Sequence, residues 1–109
     1  MNRDLETKAQ VNQILKVVQR VAPGRSVELR VPPFAAIQCV GGTTHRRGTP
    51  PNVVEMSAKT LISLIESPER WQQFCDSGDI SASGSNSNLA KVFAQASKID
   101  DVRLGEKNG

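Results

Sequence analysis

The sequence predicts an α+β fold, in which a mainly antiparallel sheet of four to five strands carries helices on one face. Two patterns lead to this prediction. Apolar residues recur at helical spacing in the first segment and again in the C-terminal half of the chain. Residues 27–31 and 79–83 instead alternate between apolar and polar side chains, as half-buried strands do. In chain order the predicted elements are a helix, three strands, two helices, a strand and a last helix.

The N-terminal half contains the first helix and three strands. Apolar residues occupy one side of the helix, and Pro23-Gly24 ends it. Val27–Val31 follows as a strand with one solvent-exposed face. Pro32-Pro33 interrupts the hydrogen-bond ladder of the sheet, because proline has no backbone N–H to donate. Residues 34–40 are apolar on nearly both faces, which predicts an internal strand. Asn52–Met56 is the third strand.

The C-terminal half begins with two helices. Ser57 is the predicted N-cap of the first, whose apolar residues face inward. Ser67-Pro68 begins the second, with a capping residue followed by proline at the first helical position, and Gly78 ends it. The strand at 79–83 follows, and the polar residues 85–88 lead into the last helix.

The chain has 109 residues, which corresponds to one domain with a core of its own. We assign residues 1–97 to this domain. Residues 98–109 form a charged C-terminal tail, whose only apolar side chains are Ile99, Val102 and Leu104. The tail is predicted either to add an edge strand or to be disordered.

Composition narrows the classes of function. The net charge is only +3, and the chain has no tyrosine and just four aromatic residues, so the interleaved basic and aromatic residues of a nucleic-acid platform are missing. No apolar run approaches the ~20 residues of a membrane span. The polar start resembles no signal peptide. We therefore expect a cytoplasmic protein that binds no nucleic acid, with Cys39 and Cys75 as reduced thiols.

The sequence offers little for catalysis. Its single histidine cannot form a metal site alone, and its glutamates are scattered along predicted exposed faces. Cys39 lies in an apolar strand, where burial makes a thiol less reactive. We predict no catalytic residue, no metal ligand and no cofactor.

Apolar side chains from the C-terminal helices and the sheet form the candidate ligand site. Its predicted lining residues are Ile37, Leu61, Leu64, Ile65, Trp71, Phe74, Ile80, Leu89 and Phe93. The alternative is that these residues are simply core. An empty pocket of ~300 Å³ would cost about 7 kcal/mol at ~24 cal/mol per Å³, which rivals the whole stability of a small domain. The helices therefore either hold a ligand or pack together.

His45, Arg46 and Arg47 form the one concentrated polar feature, in the loop between the second and third strands. Two guanidinium groups beside an imidazole are suited to a carboxylate or phosphate head group at a pocket mouth. The alternative is a solvated surface loop, where arginine clusters are common.

Several runs of the sequence resemble the sterol carrier protein family. They are WQQF at 71–74, DSGDISASG at 76–84 and, the most specific, RRGTPPNVVE at 46–55. The last looks like the short bacterial branch of sterol-carrier-like domains. The likeness covers about residues 5–97.

The resemblance implies a sheet whose helices enclose an apolar tunnel for sterols, fatty acids or acyl-CoA. It therefore implies a non-enzymatic domain whose partner is a lipid or another apolar small molecule. The alternative is an interaction domain with a collapsed cavity, which pairs with a second copy or another protein through its sheet edge or first helix. A third hypothesis is an accessory domain beside a separate enzyme, since related modules are fused to maleylpyruvate-isomerase-like proteins.

Overall fold

The structure is a computed structural model that describes residues 3–42 and 52–103. Its element order matches the predicted order, and a 3₁₀ turn (Pro68–Arg70) precedes the third helix. The elements are α1 (Arg3–Val21), β1 (Val27–Val31), β2 (Ala35–Cys39), β3 (Asn52–Met56), α2 (Ala58–Glu66), α3 (Trp71–Ser77), β4 (Ile80–Ser83) and α4 (Ala90–Ala96).

The four strands form one sheet in the order β2-β1-β3-β4. The β1–β2 and β3–β4 pairs are antiparallel, while β1 and β3 are parallel. The predicted α+β class is confirmed, and the sheet is mixed rather than purely antiparallel. The parallel pair arises because Val27, at the start of β1, lies opposite both Cys39 at the end of β2 and Asn52 at the start of β3. The chain therefore re-enters the sheet at the end where it left it.

The position of β2 differs from the prediction. Within the described part of the chain, β2 has only β1 beside it, so it lies at an edge. Its side chains are mostly half-buried, Ala36 is exposed and only Cys39 is buried. The prediction of an internal strand was wrong, because the sheet order β2-β1-β3-β4 leaves β2 with one neighbour whatever its composition.

Capping residues set the bounds of the helices. The Ser57 side chain accepts a hydrogen bond from the Thr60 backbone N–H at 3.1 Å, which confirms the predicted N-cap. Gly78 ends α3 in a left-handed conformation (φ +87°), which glycine adopts without strain. Ser67, by contrast, makes no side-chain capping bond. Asn88 accepts from the Ala90 backbone N–H at 2.9 Å and so supports the start of α4.

The core lies between one face of the sheet and the four helices. Val27, Leu29 and Val31 of β1 point into it and are fully buried. The alternate residues of the sheet face outward, where Arg30 forms ion pairs with Glu28 at 3.1 Å and Glu55 at 3.9 Å. This separation of apolar and charged residues on alternate positions is the pattern that the sequence predicted for a half-buried sheet.

A buried asparagine joins the loops at one end of the sheet. Asn52 donates from Nδ2 to the Ser26 carbonyl at 2.7 Å and accepts from the Asn86 backbone N–H at 2.9 Å. Gly24 lies at the same end, and a Cβ there would stand 2.2 Å from the Val40 carbonyl oxygen. The Asn52 side chain therefore ties the segment that leads into α4 to the start of β1, and Gly24 allows close packing of the neighbouring backbone.

After α4 the described chain continues through residues 98–103, which form turns. Val102 in this segment is fully buried with the core cluster. Gln13 of α1 donates to the Asp101 carbonyl at 2.7 Å. This C-terminal strap, residues 98–103, therefore packs against the helices.

Candidate ligand-binding cleft

All nine side chains predicted to line a ligand site belong to one apolar cluster. Eight are buried, and Ile37 packs against them from the edge strand β2 while half-exposed. At its centre the rings of Trp71 and Phe93 are stacked, with centroids 6.2 Å apart and planes 24° from parallel. The other members are Leu61, Leu64, Ile65, Phe74, Ile80 and Leu89.

The centre of this cluster is densely packed. Leu61, Leu64 and Phe93 have no accessible surface at all. A side chain with no accessible surface borders no space large enough for a water molecule. In this conformation these residues therefore act as core, and a ligand would reach them only if the helices moved apart.

A cleft of about 460 Å³ lies next to this core, between α4 on one side and the 3₁₀ turn and α3 on the other. This volume lies within the range of small-molecule sites, ~300–1,000 Å³. The residues that line the cleft are Pro68, Glu69, Trp71, Gln72, Asn88, Ala90, Lys91 and Ala94.

The cleft exists because small side chains face a large one. Ala90 and Ala94 are four residues apart, so they share one face of α4 and form a low wall. Pro68 lies on the opposite side. Trp71 forms the floor: it is only 4% exposed, and the buried Phe93 ring supports it from behind. The result is an apolar bottom that is continuous with the core.

The rim of the cleft is polar and carries both signs of charge. Glu69 and Lys91 are exposed and form no ion pair with any described residue. Gln72 donates to the Asp76 carboxylate at 2.9 Å, which holds its amide at the rim. An apolar floor below a polar rim suits an amphipathic molecule, because each part of such a molecule meets a matching surface.

The comparison with known families matched most of the chain, from the start of α1 into α4. Residues 3–94 match the family described as bacterial SCP ortholog. The chain belongs to this family. No curated protein matches it. The matched region ends at Ala94, so both walls of the cleft lie inside the SCP ortholog domain, while the C-terminal strap lies outside it.

The match confirms the family that the sequence motifs suggested, and with it a sterol-carrier-type fold. Among the described residues of this SCP ortholog, no helix combines the length and apolar composition needed to cross a membrane.

The predicted head-group residues His45, Arg46 and Arg47 lie outside the described residues. The described ends of their loop do show where the loop is attached. Gly42 approaches the Asn86 side-chain amide, with an ideal Cβ 3.8 Å from Nδ2, and Asn86 is two residues before Asn88 at the cleft. Gly42, the described residue before this loop, thus lies beside the segment that leads to Asn88.

Both thiols of the SCP ortholog have raised pKa values. Burial raises the pKa of Cys39 from 9.0 to about 11. Burial and, to a lesser extent, the negative charge of Asp76 raise the pKa of Cys75. Both side chains are therefore protonated at neutral pH, which makes them poor nucleophiles. Within residues 3–42 and 52–103, no three His, Cys, Asp or Glu side chains gather to hold a metal ion.

Of the nine side chains predicted to line a ligand site, Trp71 also lines this cleft, and sequence reasoning named none of the other cleft residues as lining. The spacing of Ala90 and Ala94 was the available signal, since two small residues on one helix face leave room above them. The pairing of that face with Pro68 and Glu69 is a tertiary contact, and no local pattern shows it.

Proposed function

We propose that this domain binds an amphipathic small molecule of the lipid type, with its apolar part in the cleft over Trp71, and that it acts as a carrier without catalysis. The observation that supports this most is the cleft itself, with an apolar floor under a polar rim in a chain of the SCP ortholog family.

An open cleft avoids the cost of a closed cavity. A void of this size inside the core would cost the domain most of its stability, whereas water fills an open cleft when no ligand is present. A ligand then gains free energy by displacing this water from the apolar floor. Burial of about 100 Å² of apolar surface would contribute roughly 2.5 kcal/mol, from which the cost of lost translational and rotational freedom on association is subtracted.

The proposal includes an acidic head group at the rim. Lys91 is an exposed cation without an ion pair among the described residues, so it is available to a carboxylate. His45, Arg46 and Arg47 are proposed as further contacts, because their loop follows Gly42, which lies beside the segment that leads to Asn88. If this is correct, Arg46→Ala with Arg47→Ala weakens binding of decanoate but leaves binding of decanol unchanged.

Trp71 is the only tryptophan of the chain and reports directly on the cleft. Decanoate should change its emission in a saturable way and raise the melting temperature, because a ligand that binds the native state stabilises it by mass action. Native mass spectrometry of protein purified from cells provides a second readout, through a co-purified ligand.

A matched pair of variants localises the binding. Ala94→Leu places a larger side chain in the cleft, whereas Ala9→Leu places the same side chain on the exposed surface of α1. We expect Ala94→Leu to abolish the emission change and Ala9→Leu to retain it. A wild-type protein whose emission and melting temperature respond to neither decanoate nor decanol would refute the proposal.

A second candidate function is docking to a protein. Leu5 on α1 is 63% exposed, and Ser81, Ala82 and Ser83 of the edge strand β4 are all exposed. These are the first helix and the sheet edge that the alternative hypothesis requires. A mass that rises with concentration in light scattering, and falls again in Leu5→Ser, would favour this function.

A further inference from the structure

The C-terminal strap ends in an arginine with three hydrogen-bonded nitrogens. Arg103 Nε donates to the Glu66 carboxylate at 3.0 Å. Its Nη2 donates to the Ile65 carbonyl at 3.0 Å, and its Nη1 donates to the Ser97 carbonyl at 3.1 Å. The side chain is 26% exposed, so water reaches only part of it. One planar guanidinium thus connects the end of α2 with the end of α4.

Both helix ends have a physical reason to attract this cation. The last carbonyls of a helix have no partner within the helix, and the partial negative charge of the helix dipole lies there. Ile65 lies in the last turn of α2, and Ser97 is the C-cap of α4. Arginine supplies several donors in fixed directions, so it can satisfy two carbonyls and a carboxylate at once.

The two connected ends lead directly into the walls of the cleft. Glu66 is separated by one residue from Pro68, which lines one side. Ser97 lies one helical turn after Ala94, which lines the other side. The guanidinium therefore links the end of α2, which precedes one side of the cleft, with the end of α4, which forms the other side. Arg103 itself does not line the cleft.

We propose that Arg103 is a positioning residue that sets the separation of the two cleft walls, and that release of the C-terminal strap widens the cleft for a ligand. The effect on ligand exchange rests on the function proposed above, whereas the effect on the walls does not require a ligand.

The remaining contacts of the strap suit a segment that detaches. The Arg20–Asp101 ion pair, at 2.9 Å, joins two side chains that are more than half exposed, so water screens it. Val102 is buried, and Ile14, Ile62 and Arg103 line a space of about 80 Å³ beside it. Besides Arg103, the strap is held by Gln13, which donates to the Asp101 carbonyl at 2.7 Å, and by the apolar side chains of Ile99 and Val102.

The first test uses the full chain without a ligand. Acrylamide quenching measures how accessible Trp71 is to solvent. We expect Arg103→Gln to raise the quenching constant about twofold or more, because local opening exposes the cleft floor. Arg103→Lys should raise it as well, since one ammonium group cannot reach both carbonyls and Glu66 in the same geometry.

Arg20→Gln is the matched control, because it removes the other ion pair of the strap without touching the cleft walls. Its quenching constant should equal that of the wild type. Val31→Ala serves as a second control: it removes methyl groups from the buried face of β1 and lowers stability far from the strap in sequence. For Val31→Ala we expect a lower melting temperature with an unchanged quenching constant, as for a residue that only stabilises the fold.

The second test follows decanoate binding by stopped-flow emission of Trp71. We expect both association and dissociation to accelerate in Arg103→Gln and to remain unchanged in Arg20→Gln. Folded Arg103→Gln or Arg103→Lys proteins with wild-type quenching would overturn the inference. If Arg103→Gln does not fold, Arg103→Lys decides the question in the same two assays.

The two proposals fail in different ways. If the wild type binds no decanoate while quenching responds to Arg103→Lys, the positioning role stands and the carrier function falls. If the wild type binds decanoate and neither quenching nor exchange responds to the substitutions, the carrier function stands and the positioning role falls.

Discussion

Trp71 belongs to two surfaces at once. Its rings are stacked with the buried Phe93, and the 4% of its surface that stays exposed lies in the lining of the cleft. A single residue therefore couples the core to the candidate site. The packing of Phe93 should then affect stability strongly, while the proposed ligand would contact Trp71.

Phe93→Ala tests the contribution of the inner side. Removal of a fully buried phenylalanine ring costs about 3–5 kcal/mol, through lost burial and the cavity that remains. Phe34→Ala is the matched control, because Phe34 is only half-buried at the β1–β2 turn. Urea unfolding should show a clearly larger loss of unfolding free energy for Phe93→Ala. Equal losses would contradict the position of Phe93 at the centre of the core.

Cys39 makes stability depend on pH in the alkaline range. Its thiol has a pKa of about 11 in the folded protein against 9.0 as the ordinary value. Below pH 9 both states keep the proton, so this thiol adds no pH dependence. As the pH rises from 9 to about 11, the unfolded chain loses its proton first, and the folded state is progressively destabilised.

The measurement is the unfolding free energy at a series of pH values across that window. Cys39→Ala should show a flatter decline than the wild type. Cys75→Ala is the control, since Cys75 is only partly buried and its substitution should leave most of the decline in place. Superimposable curves for Cys39→Ala and the wild type would show that the buried thiol is not responsible.

At the scale of the elements, two serines distinguish a true cap from an apparent one. Ser57 accepts from the Thr60 N–H, whereas Ser67 precedes the 3₁₀ turn without a side-chain capping bond. Ser57→Ala should therefore lower the unfolding free energy by about 1 kcal/mol. Ser67→Ala, the same chemical change, should cost much less. Denaturant titration of both variants measures the difference, and a larger effect at Ser67 would refute this assignment.

The elements were predictable because their signals are local. Ser57, Gly78 and the alternation along Val27–Val31 each act within a few residues, and the structure follows them. The prediction failed where partners decide the outcome. The composition of residues 34–40 predicted an internal strand. Whether a strand is internal depends on the order of strands in the sheet, which its composition does not encode.

The candidate site was less predictable than the fold. Local spacing correctly brought Trp71 and Phe93 onto a common side. The same spacing cannot distinguish a packed core from a lined cavity, because both need apolar residues at the same positions. The cleft itself depends on Ala90 and Ala94 facing Pro68, a contact between segments that are distant in sequence.

At the scale of the whole molecule, the strap connects the last described residues with the first helix. Arg20 and Gln13 of α1 contact Asp101, while Arg103 reaches Ile65, which is 38 residues earlier. Ile99 and Val102 were recognisable from the sequence as apolar anchors. Their partners were not, since contacts over such separations leave no local pattern.

The burial of Val102 predicts that the strap contributes to the stability of the whole domain. Val102→Ala removes two methyl groups from a fully buried position, which should cost about 2 kcal/mol. Because α1, α2 and α4 all meet the strap, Trp71 emission and far-UV circular dichroism should report the same shifted urea midpoint. Val53→Ala on the outer sheet face is the control, and its loss should be smaller because Val53 is only half-buried. A Val102→Ala protein with wild-type stability would contradict the burial of Val102 in the core.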